Sequence, residues 1–281
     1  MKKNILITGA NGMFGKDAQQ LFSTWGYNVL KAGKSDLDVT DLNSVENFFA
    51  HNKPIDFVIH AAAYTKVDDA ETNAQLAFSI NEKGAENIAV VTEKFAIPLI
   101  YISTDYVFDG EKNSPYLVSD IANPINIYGA SKLAGEEKVR TINPQHYIAR
   151  TSWLYGKNGK NFVDTMITLS KSQKVLRVVN DQFGCPTWTY DLAEMIKNLI
   201  EKKSAFGTYH LCNGGVTSWF GLAKRIFEIL KIEIEIIPVT TDEFPRPARR
   251  PKFSAMDNNN YGRPWDEALK QYLQSNINHG N

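Results

Sequence analysis

Short apolar runs alternate with longer stretches of helical period through the first half of the chain. Asn4–Thr8, Asn28–Ala32, Asp56–His60, Pro98–Ser103 and His146–Thr151 are rich in Ile, Leu, Val and Tyr and read as strands. Between them, Gly12–Trp25 places Met13, Phe14, Ala18, Leu21 and Phe22 at helical spacing. Ser44–Asn52 carries Val45, Phe48 and Phe49, Asn73–Phe95 reads as one long helix, and Asn126–Thr141 as another. Regular alternation of this kind predicts an α/β fold: a doubly wound parallel sheet of Rossmann type. After about residue 152 the alternation loosens. Phe162–Ser170, Tyr190–Glu201 and Ser218–Leu230 look helical; Leu176–Val179, Thr208–Leu211 and Ile232–Val239 look extended; Asp257–Gly262 is a turn-rich loop. We therefore expect a dinucleotide-binding domain over 1–152 and a smaller C-terminal substrate-binding lobe over 153–281. The lobe is expected to be partly interleaved with the first domain and built on the same sheet's edge.

Composition narrows the classes. Lys plus Arg equals Asp plus Glu at 31 each, so there is no basic surplus for a nucleic-acid partner. No apolar stretch approaches the roughly 20 residues of a membrane span. Cys185 and Cys212 have no Cys-x-x-Cys or histidine company and read as free buried thiols. A cytoplasmic, reducing compartment is the expectation.

Three stretches carry candidate chemistry. Gly9, Gly12 and Gly15 in ITGANGMFG follow a strand and open a helix. The first glycine permits a tight turn, the second lets backbone approach a pyrophosphate, and the third lets helix and strand pack closely. Unpaired N–H groups at the helix start then face the phosphates. At the end of the second strand, KAGKSDLD offers both a cation, Lys34, and an acid, Asp38. A cation suits the 2′-phosphate of NADPH and an acid suits the ribose of NADH; the reading leans to NADPH, with NADH kept open. Asp38 and Val39 frame the adenine, and the small residues Ala61, Ala62 and Ala63 let a flat nicotinamide ribose lie on the backbone. Tyr128 and Lys132 stand one helical turn apart, on one face. An ammonium beside a phenol favours the phenolate and should lower its pKa toward working pH, making Tyr128 a general acid. A second Tyr-x-x-x-Lys pair, Tyr27 and Lys31, falls in a strand, where the two residues lie roughly 13 Å apart. Ser103 and Thr104 end a strand at the side of the sheet where ligands sit, and a hydroxyl there can hold a substrate carbonyl near Tyr128.

STDYVFDG (Ser103–Gly110), YGASKLAGE (Tyr128–Glu136), RTSWLYG (Arg150–Gly156), DQFGCPT (Asp181–Thr187), GTYHL (Gly207–Leu211), RPARRPKFS (Arg246–Ser254) and AAAYTKVDDAE (Ala61–Glu71) resemble segments of the extended short-chain dehydrogenase/reductase family. The resemblance runs over nearly the whole chain. Its first two motifs are shared with sugar-nucleotide epimerases and dehydratases. The RTSW and DQFG segments, in this order, are similar to those of members that reduce 4-keto-6-deoxy sugars on a nucleoside diphosphate. The resemblance implies that reaction, with Thr104, Tyr128 and Lys132 as the catalytic trio. It implies Asn11, Gly12, Met13 and Phe14 along the cofactor pyrophosphate. Thr104 and Asp105 would touch the nucleotide-sugar substrate and Trp153 would pack on the deoxysugar, while Arg249 or Arg250 would grip its diphosphate. Some members use Mg2+ at a dimer contact; Asp17 lies near one acidic position of that arrangement, without a full set beside it. Metal use, and the choice of monomer or homodimer, stay open. The alternatives are an epimerase or dehydratase of the same fold, or a non-catalytic NADP-binding regulatory subunit. Tyr106 stands where a dehydratase carries a glutamate, which favours simple reduction.

Overall fold

The structure, a computed structural model, describes residues 2–277. The apolar runs become strands β1 (Asn4–Thr8), β2 (Asn28–Ala32), β3 (Phe57–His60), β4 (Leu99–Thr104) and β5 (His146–Thr151). Joined by a later strand, Gly207–His210, they form a six-stranded sheet, parallel throughout. Ile5, Leu6 and Ile7 of β1 are fully buried, so both faces of the sheet are covered. That is why these strands read as continuous apolar runs rather than alternating ones.

The helices between the strands are α1 (Met13–Thr24), α2 (Leu42–His51), α3 (Val67–Ala70), α4 (Ala74–Phe78), α5 (Gly84–Lys94) and α6 (Ile127–Ile142). Past β5 follow β6 (Leu154–Tyr155), α7 (Phe162–Ser170), β7 (Val175–Val179), β8 (Phe183–Gly184), β9 (Thr187–Trp188), α8 (Thr189–Glu201), β10 (Gly207–His210), β11 (Thr217–Ser218), α9 (Trp219–Leu230), β12 (Glu235–Val239) and α10 (Trp265–Ile277). One face of the sheet packs Phe14, Ala18 and Phe22 of α1 against Leu192, Ile196, Leu199 and Ile200 of α8. The other packs Val45, Phe49, Ala85, Ile88 and Val139 on Leu6, Val58 and Leu99. Thus α8 and β10, both from the chain beyond residue 152, are built into the layers of the six-stranded sheet. The remaining C-terminal elements bury a separate core of Val163, Met166, Leu222, Phe227, Leu269 and Tyr272.

Two departures from the sequence reading matter. The single helix expected over Asn73–Phe95 is α4 and α5 joined by a π-helical segment, Ser79–Lys83. Its middle residue explains the wider coil. The Asn81 side chain accepts from Tyr64 N (2.7 Å) and donates to Tyr64 O (3.1 Å) and Ser131 Oγ (2.9 Å), while its carbonyl accepts from Tyr101 Oη (3.1 Å). Partners outside the helix thus hold the segment open, and apolar spacing does not record them. The second departure is α10, since nothing is assigned beyond Gly262 from the sequence. Trp265, Ala268, Leu269, Tyr272 and Leu273 nonetheless carry the i, i+3, i+4, i+7, i+8 spacing of an amphipathic helix.

Candidate active site

The strand order β2–β1–β3–β4–β5–β10 reverses direction between β1 and β3. A crevice opens beyond the carboxyl ends of the strands at such a switch point. Here it is a cavity of about 780 Å3, running from Lys34, Asp38 and Val39, past the glycine loop and Ala61–Ala63, to Thr104, Tyr128, Lys132 and Trp153. Every cofactor-binding position expected from the sequence lines it, as do Asp105 and Trp153. Arg249 does not; it is exposed, and among the described residues only its backbone carbonyl is engaged, by Asn126 Nδ2 at 2.9 Å. Its neighbour Arg250 faces inward and is spent in a two-pronged pair with Asp68. Adjacent residues of an extended segment point opposite ways, so the sequence could not choose between them.

Gly9 shows why the loop needs glycine. Its φ is +65°, and a Cβ there would stand 2.6 Å from the Ala61 carbonyl carbon. Any side chain would push the loop off the Ala61–Ala63 segment. No side chain caps α1, whose N-cap is Gly12, so the first N–H groups are left for a ligand. At the end of β2, Asp36 turns back to accept from Gly33 N at 2.8 Å and fixes the turn. One Asp38 oxygen is taken by Thr40, from Oγ1 at 2.7 Å and from N at 3.0 Å. These bonds, with Lys34 adding its charge, hold the Asp38 carboxyl below its usual pKa. Lys34 itself is exposed and makes no hydrogen bond or ion pair among the described residues.

Thr104 ends β4 and caps the turn Asp105–Val107, accepting from Tyr106 N at 3.2 Å. Its hydroxyl donates to Asp105 Oδ1 (3.1 Å), and Ser254 Oγ donates to the other Asp105 oxygen at 2.5 Å. Burial pushes the Asp105 carboxyl up to about 7, against these hydrogen bonds. It is therefore a group that can donate or accept near neutrality.

Tyr128 and Lys132 lie on α6 and both reach the cavity. The sequence expectation about the phenol is corrected here. Burial raises Tyr128 to about 12; hydrogen bonding by Thr104 pulls the other way, and the Asp105 charge adds to the rise. Lys132 does not lower it, because Lys132 is itself desolvated and brought down to about 7, with Glu136 partly offsetting the fall. Its ammonium donates to Ile102 O at 2.6 Å and lies over the Tyr101 ring. The result suits reduction: the phenol keeps its proton through the neutral range.

Beneath these residues is a buried ion pair that sequence reasoning missed. Glu136, one turn beyond Lys132, accepts from Arg150 Nη2 (2.7 Å), Arg150 Nε (2.9 Å) and Ser103 Oγ (2.5 Å). Pairing of Ser103 with Arg150 across β4 and β5 brings the three together. The next pair in register is Thr104 with Thr151, whose buried Oγ1 has no hydrogen-bond partner among the described residues and whose residue lines the cavity. A buried polar atom without a partner costs free energy that a ligand's polar group recovers. With the glycine cradle and the uncapped α1, it makes the wall a fit for a dinucleotide. Trp153 stands at φ +46°, an uncommon conformation for a bulky residue, and stacks on Trp219 with ring centroids 3.4 Å apart. Other wall residues, among them Leu37, Leu76, Ile80 and Lys160, carried no recognisable motif.

The Mg2+ ion considered from the sequence finds no support among the described residues. The Asp17 carboxylate is occupied by Thr189 Oγ1 and by Asn158 Nδ2 (2.5 Å), and no group of three metal-ligating side chains converges among the described residues. Cys185 and Cys212 are free and buried. No helix among the described residues is long and apolar enough to cross a membrane.

The family model described as RmlD substrate binding domain matches residues 1–277. The chain is 39% identical to the spore coat polysaccharide biosynthesis protein SpsK of Bacillus subtilis, covering 96% of each. It is 37% identical to dTDP-4-dehydrorhamnose reductase of Aggregatibacter actinomycetemcomitans, covering 90% of each. The crystal structure of dTDP-4-dehydrorhamnose reductase from Bacillus anthracis in complex with NADP superposes with a TM-score of 0.94 at 43% identity, over 98% of this chain and all of that one.

Proposed function

The chain belongs to the RmlD substrate binding domain family, and from that premise we propose that it reduces the 4-keto group of dTDP-4-dehydro-L-rhamnose to give dTDP-L-rhamnose. It is an NAD(P)H-dependent oxidoreductase of nucleotide-sugar metabolism, on the path to polysaccharide. One observation carries the reading: the hydroxyls of Thr104 and Tyr128 and the ammonium of Lys132 share a wall of the same cavity as the glycine loop. A cytoplasmic setting, with the thiols kept reduced, belongs to the same proposal.

NADPH supplies the hydride when bound; the protein supplies position and proton. Tyr128 gives its phenolic proton to the oxygen at sugar carbon four. Thr104, held by its own bonds to Asp105 and Tyr106, orients that oxygen. Lys132, fixed from below by Ile102, holds the ribose. Asp105 meets the sugar hydroxyls, and Trp153 gives the deoxysugar a flat apolar face. Supplying dTDP-4-keto-6-deoxy sugar and following absorbance of the reduced cofactor tests the reading. Stoichiometric consumption supports it. An epimerase or dehydratase would return its hydride and consume none, and a regulatory subunit would turn nothing over.

Within this reading Lys34 selects NADPH. Asp38, its acidic rival, has one oxygen spent on Thr40, while Lys34 makes no hydrogen bond or ion pair among the described residues. Lys34→Glu is expected to move the ratio of kcat/KM for NADPH over NADH toward NADH by about tenfold or more, the size of a charge-assisted hydrogen bond. An unchanged ratio would remove Lys34 from this role.

A further inference from the structure

The loop from Gly156 to Asn161 leaves the C-terminal side of the molecule and lies across the start of α1. Two contacts hold it there, one through Asn158 and one through Gly159, and Asn161 braces the loop from within. Asn158 Nδ2 donates to Asp17 Oδ1 of α1 at 2.5 Å. Asn161, buried, donates to Gly156 O (2.9 Å) and Gly159 O (3.2 Å) and accepts from Asp164 N (3.0 Å) at the cap of α7. Gly159 rests on Met13 so closely that a Cβ would stand 2.7 Å from Met13 Cβ. Lys160 therefore sits between two anchored neighbours, on the wall of the cavity beside the first residue of α1. Its ammonium makes no hydrogen bond or ion pair among the described residues, although fixing its backbone has cost entropy.

The described wall carries three ammonium groups, those of Lys34, Lys132 and Lys160. Lys34 is at the end of β2, and Lys132 is bonded to Ile102 O beneath the reacting end. Between them the diphosphate of a dinucleotide, with two negative charges, would meet only the partial charges of the glycine loop and helix N–H groups. On the functional reading above, we propose that Lys160 is a cofactor-binding residue that neutralises this diphosphate, delivered to it by a loop of the C-terminal half. The loop thereby makes cofactor affinity depend on a segment outside the glycine motif.

The test is direct titration of NADPH and of NADH, by fluorescence, into the wild type, Lys160→Met and Lys160→Arg. The side chain is exposed and makes no hydrogen bond or ion pair among the described residues, so folding should be undisturbed, and thermal melting checks this. We expect Kd to rise about tenfold for both cofactors in Lys160→Met, with Lys160→Arg within about threefold of wild type, as for one charge-assisted contact. The dependence of Kd on salt should flatten in Lys160→Met alone. The KM for the sugar nucleotide should stay within about twofold. Unchanged Kd in Lys160→Met overturns the proposal. So does a loss confined to NADPH, which would put the lysine on the 2′-phosphate, or one seen only in the KM for the sugar nucleotide. Failure of the wild type to bind either cofactor would bring down the functional reading itself, a result separable from the others.

Discussion

Tyr128→Phe lowers kcat for reduction of the keto sugar by about 10²–10⁴-fold, the usual worth of a positioned general acid. The ring keeps its edge-on contact with Tyr106, 5.9 Å between centroids, so the fold is spared and only the proton is lost. Because the transfer is made in the transition state, kcat and kcat/KM should fall together while cofactor binding stays intact. The pKa of about 12 adds a second expectation. Difference spectra between wild type and Tyr128→Phe should show no tyrosinate from this residue below about pH 9, some three units under its raised value. Turnover near wild type in the variant would mean that another group delivers the proton. A tyrosinate signal at neutral pH would mean that Lys132 governs the phenol after all.

The second large effect is on stability. Glu136→Leu leaves the Arg150 guanidinium buried without its carboxylate and is expected to cost about 3–5 kcal/mol in the free energy of unfolding. Arg150 is only 4% exposed and Glu136 is fully buried, so water cannot step in. Burying two charges is itself costly, and replacing both partners should be far milder: Glu136→Leu with Arg150→Met is expected to recover more than half of the loss. Urea unfolding of the two single variants and the double variant closes the cycle. A cost below about 1 kcal/mol for Glu136→Leu would show that the pair is not the support described here.

Local features of the fold and site could be read from the sequence, and distant pairings could not. The buried strands and the glycine loop are legible because a parallel sheet covered on both faces demands unbroken apolar runs, and a dinucleotide demands glycine after the first of them. Tyr128 and Lys132 are legible because a helix turn joins them, and the rival pair fails for the reason given: Tyr27 precedes β2 and Lys31 sits in it. The bond from Ser254 to Asp105 spans 149 residues and has no local trace. Nor has the meeting of Glu136, Arg150 and Ser103, which depends on strand register. The Tyr128 pKa went the other way for a related reason. Spacing brings a lysine near, but burial of both groups sets their charges, and burial belongs to the whole fold.

The wide coil at Ser79–Lys83 puts the two ends of one helix out of phase. Each residue of an α-helix turns the chain by about 100°. A π segment is in effect one residue too many, so everything before it is rotated relative to everything after. Leu76, before the segment, and Ser79 and Ile80, within it, line the cavity, while Ile88 and Val91, after it, face the sheet. A chain one residue shorter here would pack as a better helix, yet would swing Leu76 off the wall. The apparent defect is what lets one rod serve the core at one end and the ligand at the other.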